Sequence, residues 1–272
     1  MTNKKTKVPT PDKKKRGIGH WLINILLLLM LVVGLLLVFS GPIKNKVVKN
    51  MTKEQTIETM TPKKIKQNQK KEANFDFDSV ESISLQSVAE AVVKLKEETA
   101  NSEADAKTEG STNGTNADNV QFNGLGGIAI PAVGLNLPIF KGVSNYSLIV
   151  GAGTMKEDQQ MGHGNYALAS HHMLEPELLF GPLLNVSLGQ SIYLTDLDYV
   201  YQYDISYKEY VAPNRTDLIE DVDDETLLTL VTCDATGANR LVVQAKYVGK
   251  NPMKKAPEEA INTFNIKNNN YE

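Results

Sequence analysis

Cysteine occurs once in this chain of 272 residues, at Cys233, and arginine three times, at Arg16, Arg215 and Arg240. A single cysteine excludes an intramolecular disulfide, so no part of the fold is stapled by sulfur, and a lone thiol in an oxidising compartment is either buried or used. Histidine is also sparse, with four residues, of which His20 adjoins an apolar run and His163, His171 and His172 lie far beyond it. A surplus of positive charge is missing as well. The formal net charge is −3, and the basic residues are either clustered at the N-terminus or interspersed with acids, which excludes the footprint of a nucleic-acid binder.

What the sequence does have is one long hydrophobic run. Residues 21–39, WLINILLLLMLVVGLLLVF, are broken only by Asn24, and as a helix they span roughly 28 Å, enough for one membrane crossing. Lys4, Lys5, Lys7, Lys13, Lys14, Lys15 and Arg16 precede it without a glutamate, which predicts a cytoplasmic N-terminus and everything after residue 40 outside the cell. Lys44, Lys46 and Lys49 follow the run and weaken this asymmetry without reversing it. A cleaved signal peptide fits less well, because the run exceeds an h-region of about 7–15 residues and SGPIKNK offers no A-x-A site. The expected protein is therefore a single-pass cell-membrane protein, with a basic tail at 1–20 and a transmembrane helix at 21–40.

Composition then shifts several times. Residues 41–74 are rich in Lys, Gln and Thr and read as a solvated extracellular stalk. From Phe75, a folded domain is expected to run to residue 250. Val80, Ile83, Leu85, Val88, Ala91, Val92 and Leu95 fall near helical spacing, with Ser84 or Ser87 as N-cap, predicting a packing helix that ends near Glu98. Residues 99–119 are almost free of large apolar side chains and predict a mobile loop. Beyond them, GGIAIPAV, LNLPIF, NYALAS, SIYLTDL, VYQYDISYKEYV, TLLTLVT and RLVVQAKYV alternate with turn residues and leave little room for crossover helices. That pattern predicts an all-β barrel or sandwich. The polar, Asn-rich tail at 251–272 is expected to fray.

The rare residues gather in this domain. TLLTLVT runs into Cys233 and RLVVQAKYV begins at Arg240, with DATGAN as a turn between them. If the two runs pair as a hairpin, the residues flanking the turn face each other about 5 Å apart at Cβ. The guanidinium then favours thiolate over thiol and offers donors to an oxygen that becomes negative. Taken alone, Cys233 reads more readily as a small core hydrophobe, which free cysteines usually are. NYALAS leads into His171 and His172, and a histidine at a strand end beside a cysteine can shuttle a proton to a leaving amine. His163, His171, His172 and Cys233 could number four metal ligands, but adjacent histidines on an extended segment point to opposite faces, so no metal site is expected.

TLVTC followed by Arg240, NYALASHHM followed by LLFGPL, and the stretches IAIPAVGLNLPIF, GAGTM and MGHGNYALASHH together resemble the sortases, membrane-anchored cysteine transpeptidases of Gram-positive bacteria, and class A in particular. The resemblance covers residues 75–250 and implies an eight-stranded sortase-type β-barrel with short helices. It implies Cys233 as nucleophile, His171 as general acid and base, Arg240 as the oxyanion or substrate-positioning residue, and Ala169 and Val231 as groove-lining residues. It further implies cleavage of LPXTG-type sorting signals between Thr and Gly, and transfer of the surface protein to an amino group of a lipid-linked peptidoglycan precursor, with no cofactor. Arg215 matches no motif and reads as a surface residue. Some class A members bind calcium before the histidine segment. Here MKEDQQMGHG offers carboxylates only at Glu157 and Asp158, whereas a hard cation needs about six to eight oxygens, so no calcium requirement is expected.

Two other readings stay open on the sequence. A class C pilin polymerase typically has a lid before the barrel and a second anchor; 251–272 contain no apolar span, and no Asp-Pro-aromatic lid is apparent. A noncatalytic, membrane-tethered barrel that binds peptides would keep Cys233 buried and inert.

Overall fold

The structure is a computed structural model and describes residues 18–54, 57, 60–77, 80, 83–105, 123–173, 175–234 and 236–264. The chain divides into two compact units, Met1–Ile43 and Lys44–Glu272. Helix α1, Ile18–Glu54, begins in the first and ends in the second. In the first unit its leucines and methionine are largely exposed, Leu26 by 63% and Met30 by 71%, an apolar surface that water does not tolerate. The helix is long and apolar enough to cross a membrane, its most apolar 18-residue window having a mean hydropathy of 3.1.

The second unit is built on a closed eight-stranded barrel. Its strands are β1 (Gly124–Ile130), β2 (Leu135–Phe140), β3 (Ala152–Thr154), β4 (Asn165–Ala169), β5 (Ser191–Thr195), β6 (Tyr199–Val211), β7 (Leu227–Cys233) and β8 (Arg240–Pro252). Seven correspond to the runs read from the sequence. The eighth, β3, is three residues long inside GAGTM, too short for an alternation signal. The order around the barrel is β1-β2-β3-β4-β7-β8-β6-β5, closed by β1 on β5. Alternate residues point inward, and Ile128, Leu168, Leu228, Leu230, Leu241 and Val243, all at most 1% exposed, fill the interior. Strand β7 is buried on both faces, which is why its sequence reads as a nearly continuous apolar run.

The segments before and after the barrel correct the sequence reading. Residues 41–74 are not a solvated stalk throughout: α1 continues to Glu54, helix α2 forms at Pro62–Asn68, and Val48, Met51, Ile57 and Ile65 are at most 4% exposed. Val48 and Met51 are one helical turn apart, so two apolar side chains in a lysine-rich stretch make a buried stripe. Helix α2 starts on Thr61, whose Oγ1 accepts from the Lys64 N–H, with Pro62 at its first position. Helix α3, Leu85–Asp105, is capped by Ser84, whose Oγ accepts from the Ser87 N–H while Ser87 Oγ accepts from the Ser84 N–H. It buries Val88 and Ala91. It runs past Glu98 because 99–105 contain Ala and Glu and no Gly or Pro, so the first seven residues of the expected loop are helical; 106–119 lie outside the described residues. A short helix, α4 (Asn145–Val150), precedes β3. The tail does not fray throughout: helix α5, Glu258–Phe264, buries Ala260 and Phe264 on one face, joined by Met253, and 265–272 lie outside the described residues.

Candidate active site

Strands β4, β7 and β8 lie side by side, and their outward residues form the site. β7 runs parallel to β4 with Ala169 beside Val231, and antiparallel to β8 with Cys233 opposite Arg240. With Leu168, Leu230 and Leu241 inside the barrel, alternation turns Ala169, Val231, Cys233, Val242 and Arg240 outward. The chain stays beside β7 past the end of β4. The Ser170 N–H donates to the Val231 carbonyl at 3.3 Å, Thr232 Oγ1 donates to the Ser170 carbonyl at 2.8 Å, and Ser170 Oγ donates to the Gly151 carbonyl at 2.6 Å. The β4–β7 register ends at the Ala169–Val231 pair, and His171 follows two residues beyond it. A β4–β7 parallel pair thus joins residues 62 positions apart.

His171 is held in place by its carbonyl, which accepts from the Phe180 N–H at 3.3 Å. Its Nε2 is enclosed and has no hydrogen-bond partner, and the same holds for Nδ1 of His172. Burial, with a smaller contribution from the positive charge of Lys44, pushes the His171 pKa down to about 4. The imidazole is therefore neutral at pH 7, a proton acceptor with an available lone pair. Lys44 itself is fixed by donating to the Ile83 carbonyl at 3.3 Å.

Arg240 is positioned by the turn that precedes it. Its Nη1 donates to the carbonyls of Gly237 at 3.0 Å and Asn239 at 3.3 Å. Gly237 has φ of +76°, a left-handed conformation that suits glycine. Asp234 organises the turn: its carboxylate accepts from the backbone and hydroxyl of Thr236 and from the backbone and side chain of Asn239. Those bonds, Thr236 foremost, pull its pKa down to about 2. Asp234 is the residue that sequence reading passed over, as one turn former among several; its place directly after the strand, ahead of Gly and Asn, was the available signal.

Ala169 and Val231 are neighbours on this face, 0% and 6% exposed, and each belongs to its own apolar cluster. Around Ala169 lie Val143 and Leu148, overlaid by Phe77, Val80 and Met155. Around Val231 lie Val211 and Val242, overlaid by Met155, Tyr207, Leu218 and Ile219. Met155 belongs to both, so the two make one apolar strip leading to Cys233 and Arg240. Phe77 closes the near end: the Arg240 guanidinium carbon lies 6.0 Å from the centre of its ring. Cys233 and Arg240 are themselves only partly exposed.

The remaining residues weighed from the sequence lie elsewhere. His163 is exposed in a cleft of about 570 Å³ with Glu157, Asp158 and Asp196, a lining to which Cys233, His171 and His172 do not contribute. Among the described residues no three His, Cys, Asp or Glu side chains cluster as a metal site. Lys156, in the loop before the histidine segment, pairs with Asp221 at 2.6 Å. Arg215 is on the surface, in a two-pronged pair with Asp217.

Comparison with known proteins converges on one family. Residues 128–248 match the profile of the Sortase domain family. The chain is 36% identical to Sortase A of Streptococcus agalactiae over 94% of its own length and 97% of that protein's. It is 39% identical to Sortase A of Listeria monocytogenes over 76% and 82%, respectively. The solved structure of the Listeria monocytogenes sortase A aligns with 52% of this chain and 97% of that one, at 36% identity and a TM-score of 0.49. With a closed barrel and a cysteine and an arginine paired across a hairpin, this chain belongs to the sortase family, on its sortase A branch, the cysteine transpeptidases that anchor surface proteins.

Proposed function

We propose that Cys233, His171 and Arg240 are the catalytic residues and that the chain cleaves an LPXTG-type sorting signal between Thr and Gly. The observation that carries this reading is the register: Cys233 opposite Arg240, and Ala169 beside Val231 with His171 two residues further on. Neutral His171 takes the proton from the Cys233 thiol as sulfur attacks the threonine carbonyl carbon. The carbonyl oxygen becomes negative and is stabilised by Arg240 donors. Collapse of this intermediate breaks the C–N bond, and the departing glycine amine receives the proton from His171, leaving a thioester on Cys233. An acceptor amine then attacks the thioester, gives its extra proton to His171, and forms the new amide; His171 returns the proton to sulfur. The electron count balances without a cofactor.

Ala169 and Val231 contribute the apolar floor of the peptide groove in this reading. The acceptor is the amino group of a lipid-linked cell-wall precursor, and α1 tethers the barrel on the outer face of the membrane, where both substrates are held at high effective concentration. The test incubates the full chain in detergent micelles with an LPXTG peptide and an amine acceptor and reads products by mass spectrometry. Transfer of the peptide through its threonine to the amine, reduced by at least about 10³-fold in Cys233→Ala, is the expected result. Absence of cleavage across several signal variants overturns it.

A further inference from the structure

The part of α1 that belongs to the second unit is two-sided. Val48 and Met51 turn into the core, while Lys46, Lys49 and Lys53, at spacings of three and four residues, share another side of the helix and are exposed. Residues 44–53 hold four lysines and no acid. In the topology proposed above this charge stands on the outer side of the span, where it opposes the positive-inside rule, so insertion does not explain it. Lys44 has a use inside the fold, on the Ile83 carbonyl. Among the described residues Lys46 and Lys53 form no ion pair.

Lys49, Thr52 and Lys53 contribute to the lining of a cavity of about 490 Å³, together with Leu135 of β2 and the buried Leu178 and Leu179. Thr52 Oγ1 is enclosed and unpartnered, although a helical threonine can satisfy its hydroxyl on the preceding turn. An orphaned hydroxyl in the wall of a lysine-flanked cavity is a donor without an acceptor. The one acid among the described lining residues, Glu177, reaches Lys49 at 3.6 Å, with side chains 75% and 50% exposed, an ion pair that a stronger anion displaces at little cost. Three residues past Asn185 of the lining, Leu188 is 64% exposed, the most exposed large apolar side chain described in the second unit, and Leu184 is exposed as well. Both leucines are held: Lys208 Nζ donates to the Leu184 and Val186 carbonyls at 2.8 and 2.9 Å, and the Gly189 N–H donates to the Ile205 carbonyl at 2.7 Å. Fixed apolar side chains beside lysines and a cavity with an unused donor form the pattern of a surface seated at a lipid–water boundary.

We propose that this cavity binds the phosphate headgroup of an anionic membrane phospholipid, with Lys49, Lys53 and Thr52 as donors and Leu184 and Leu188 at the acyl boundary. Reach favours a lipid over a soluble anion: Lys49 is ten residues past Phe39, the end of the apolar run, so it lies at most about 36 Å from that end in any conformation of the chain. A span that already holds the chain on the membrane presents headgroups to such a site at high effective concentration, and weak affinity suffices. The inference rests on the tether in the function proposed above and not on the chemistry at Cys233. Occupied, the cavity is a second attachment, which limits how the barrel turns about its anchor.

The test embeds the full chain in lipid nanodiscs of phosphatidylcholine, with and without about 30% phosphatidylglycerol, and follows hydrogen exchange in 46–53 and 176–188. Phosphatidylglycerol is expected to slow exchange there about fivefold, the scale of one lysine at an anionic surface, and to leave β7 unchanged. Lys49→Gln combined with Lys53→Gln removes the slowing, Leu188→Ser lessens it, Glu177→Gln increases it, and about 1 M salt abolishes it. In phosphatidylcholine alone each variant exchanges like the unmodified chain, which separates lost binding from a loosened helix. Equal exchange in the two lipids overturns the proposal, as does slowing that survives the double lysine variant. Millimolar inorganic phosphate is the remaining arm: if it slows exchange in phosphatidylcholine as much as the anionic lipid does, the site takes a free anion and the headgroup assignment is overturned. If the chain does not enter the discs at all, the tether fails instead and this assignment falls with it, whereas a lack of peptide turnover leaves both standing.

Discussion

The barrel has two flanks whose outward residues are covered, and they are covered in different ways. On one, Ala129, Tyr193 and Val200 of β1, β5 and β6 lie beneath Ile57, Ile65 of α2, Met253, and Ala260 and Phe264 of α5. Every one of these is at most 6% exposed, and the cover is riveted by Asn68 Nδ2 to the Gly124 carbonyl at 2.9 Å and Asn136 Nδ2 to the Thr263 carbonyl at 2.7 Å. On the other, Ala169, Val231 and Val242 of β4, β7 and β8 lie beneath half-buried residues of a loop and of the segment around Phe77. Helices seal the first flank for stability. Turns cover the second, and Cys233 and Arg240 sit at its edge.

The sharpest way to separate the flanks is to hollow out the sealed one. Phe264→Ala is expected to destabilise the barrel by about 3–5 kcal/mol, read by urea unfolding, with turnover per folded molecule unchanged. Lost turnover in the folded fraction would mean that the first flank also shapes the site. Next in size is the pH response of the site flank. The folded His171 titrates at about 4 against 6.5 for a free imidazole, so between those values the unfolded chain binds the extra proton. Stability is then fully present above pH 6.5 and withdrawn as pH falls toward 4, by something on the order of 3 kcal/mol. His171→Gln should flatten that slope; an unaltered slope would place the imidazole in open solvent. Smallest is the effect of lifting the edge. Phe77→Ala removes the ring beneath Arg240, and peptide KM should fall about two- to fivefold, the scale of an exposed cation–π contact. A rise in KM would instead make Phe77 part of the groove.

Much of the second flank was legible because its rare residues coincide with strand ends. Cys233 and Arg240 flank a turn in the sequence and face each other in the barrel, so one hairpin argument places both. His171 could be marked as a strand-end histidine, but nothing local specifies that β4 pairs with β7 across β5 and β6. The first flank was nearly invisible for a related reason. Ile57, Ile65 and Phe264 are isolated apolar residues among lysines and asparagines, and only a partner surface distant in sequence turns them into core.

The parallel pairing of β4 with β7 has a consequence for the order of events in the life of the molecule. Between Ala169 and Val231 lie two strands, a 3-10 turn and the 212–226 loop, and all of it must be in place before the last register can close. Contacts over such separations form late, because the entropy of closing the intervening loop is lost before the contact rewards it. On the roles proposed above, a chain whose barrel has not yet closed therefore carries its thiol apart from His171. Assembly of the barrel is itself the step that arms the enzyme.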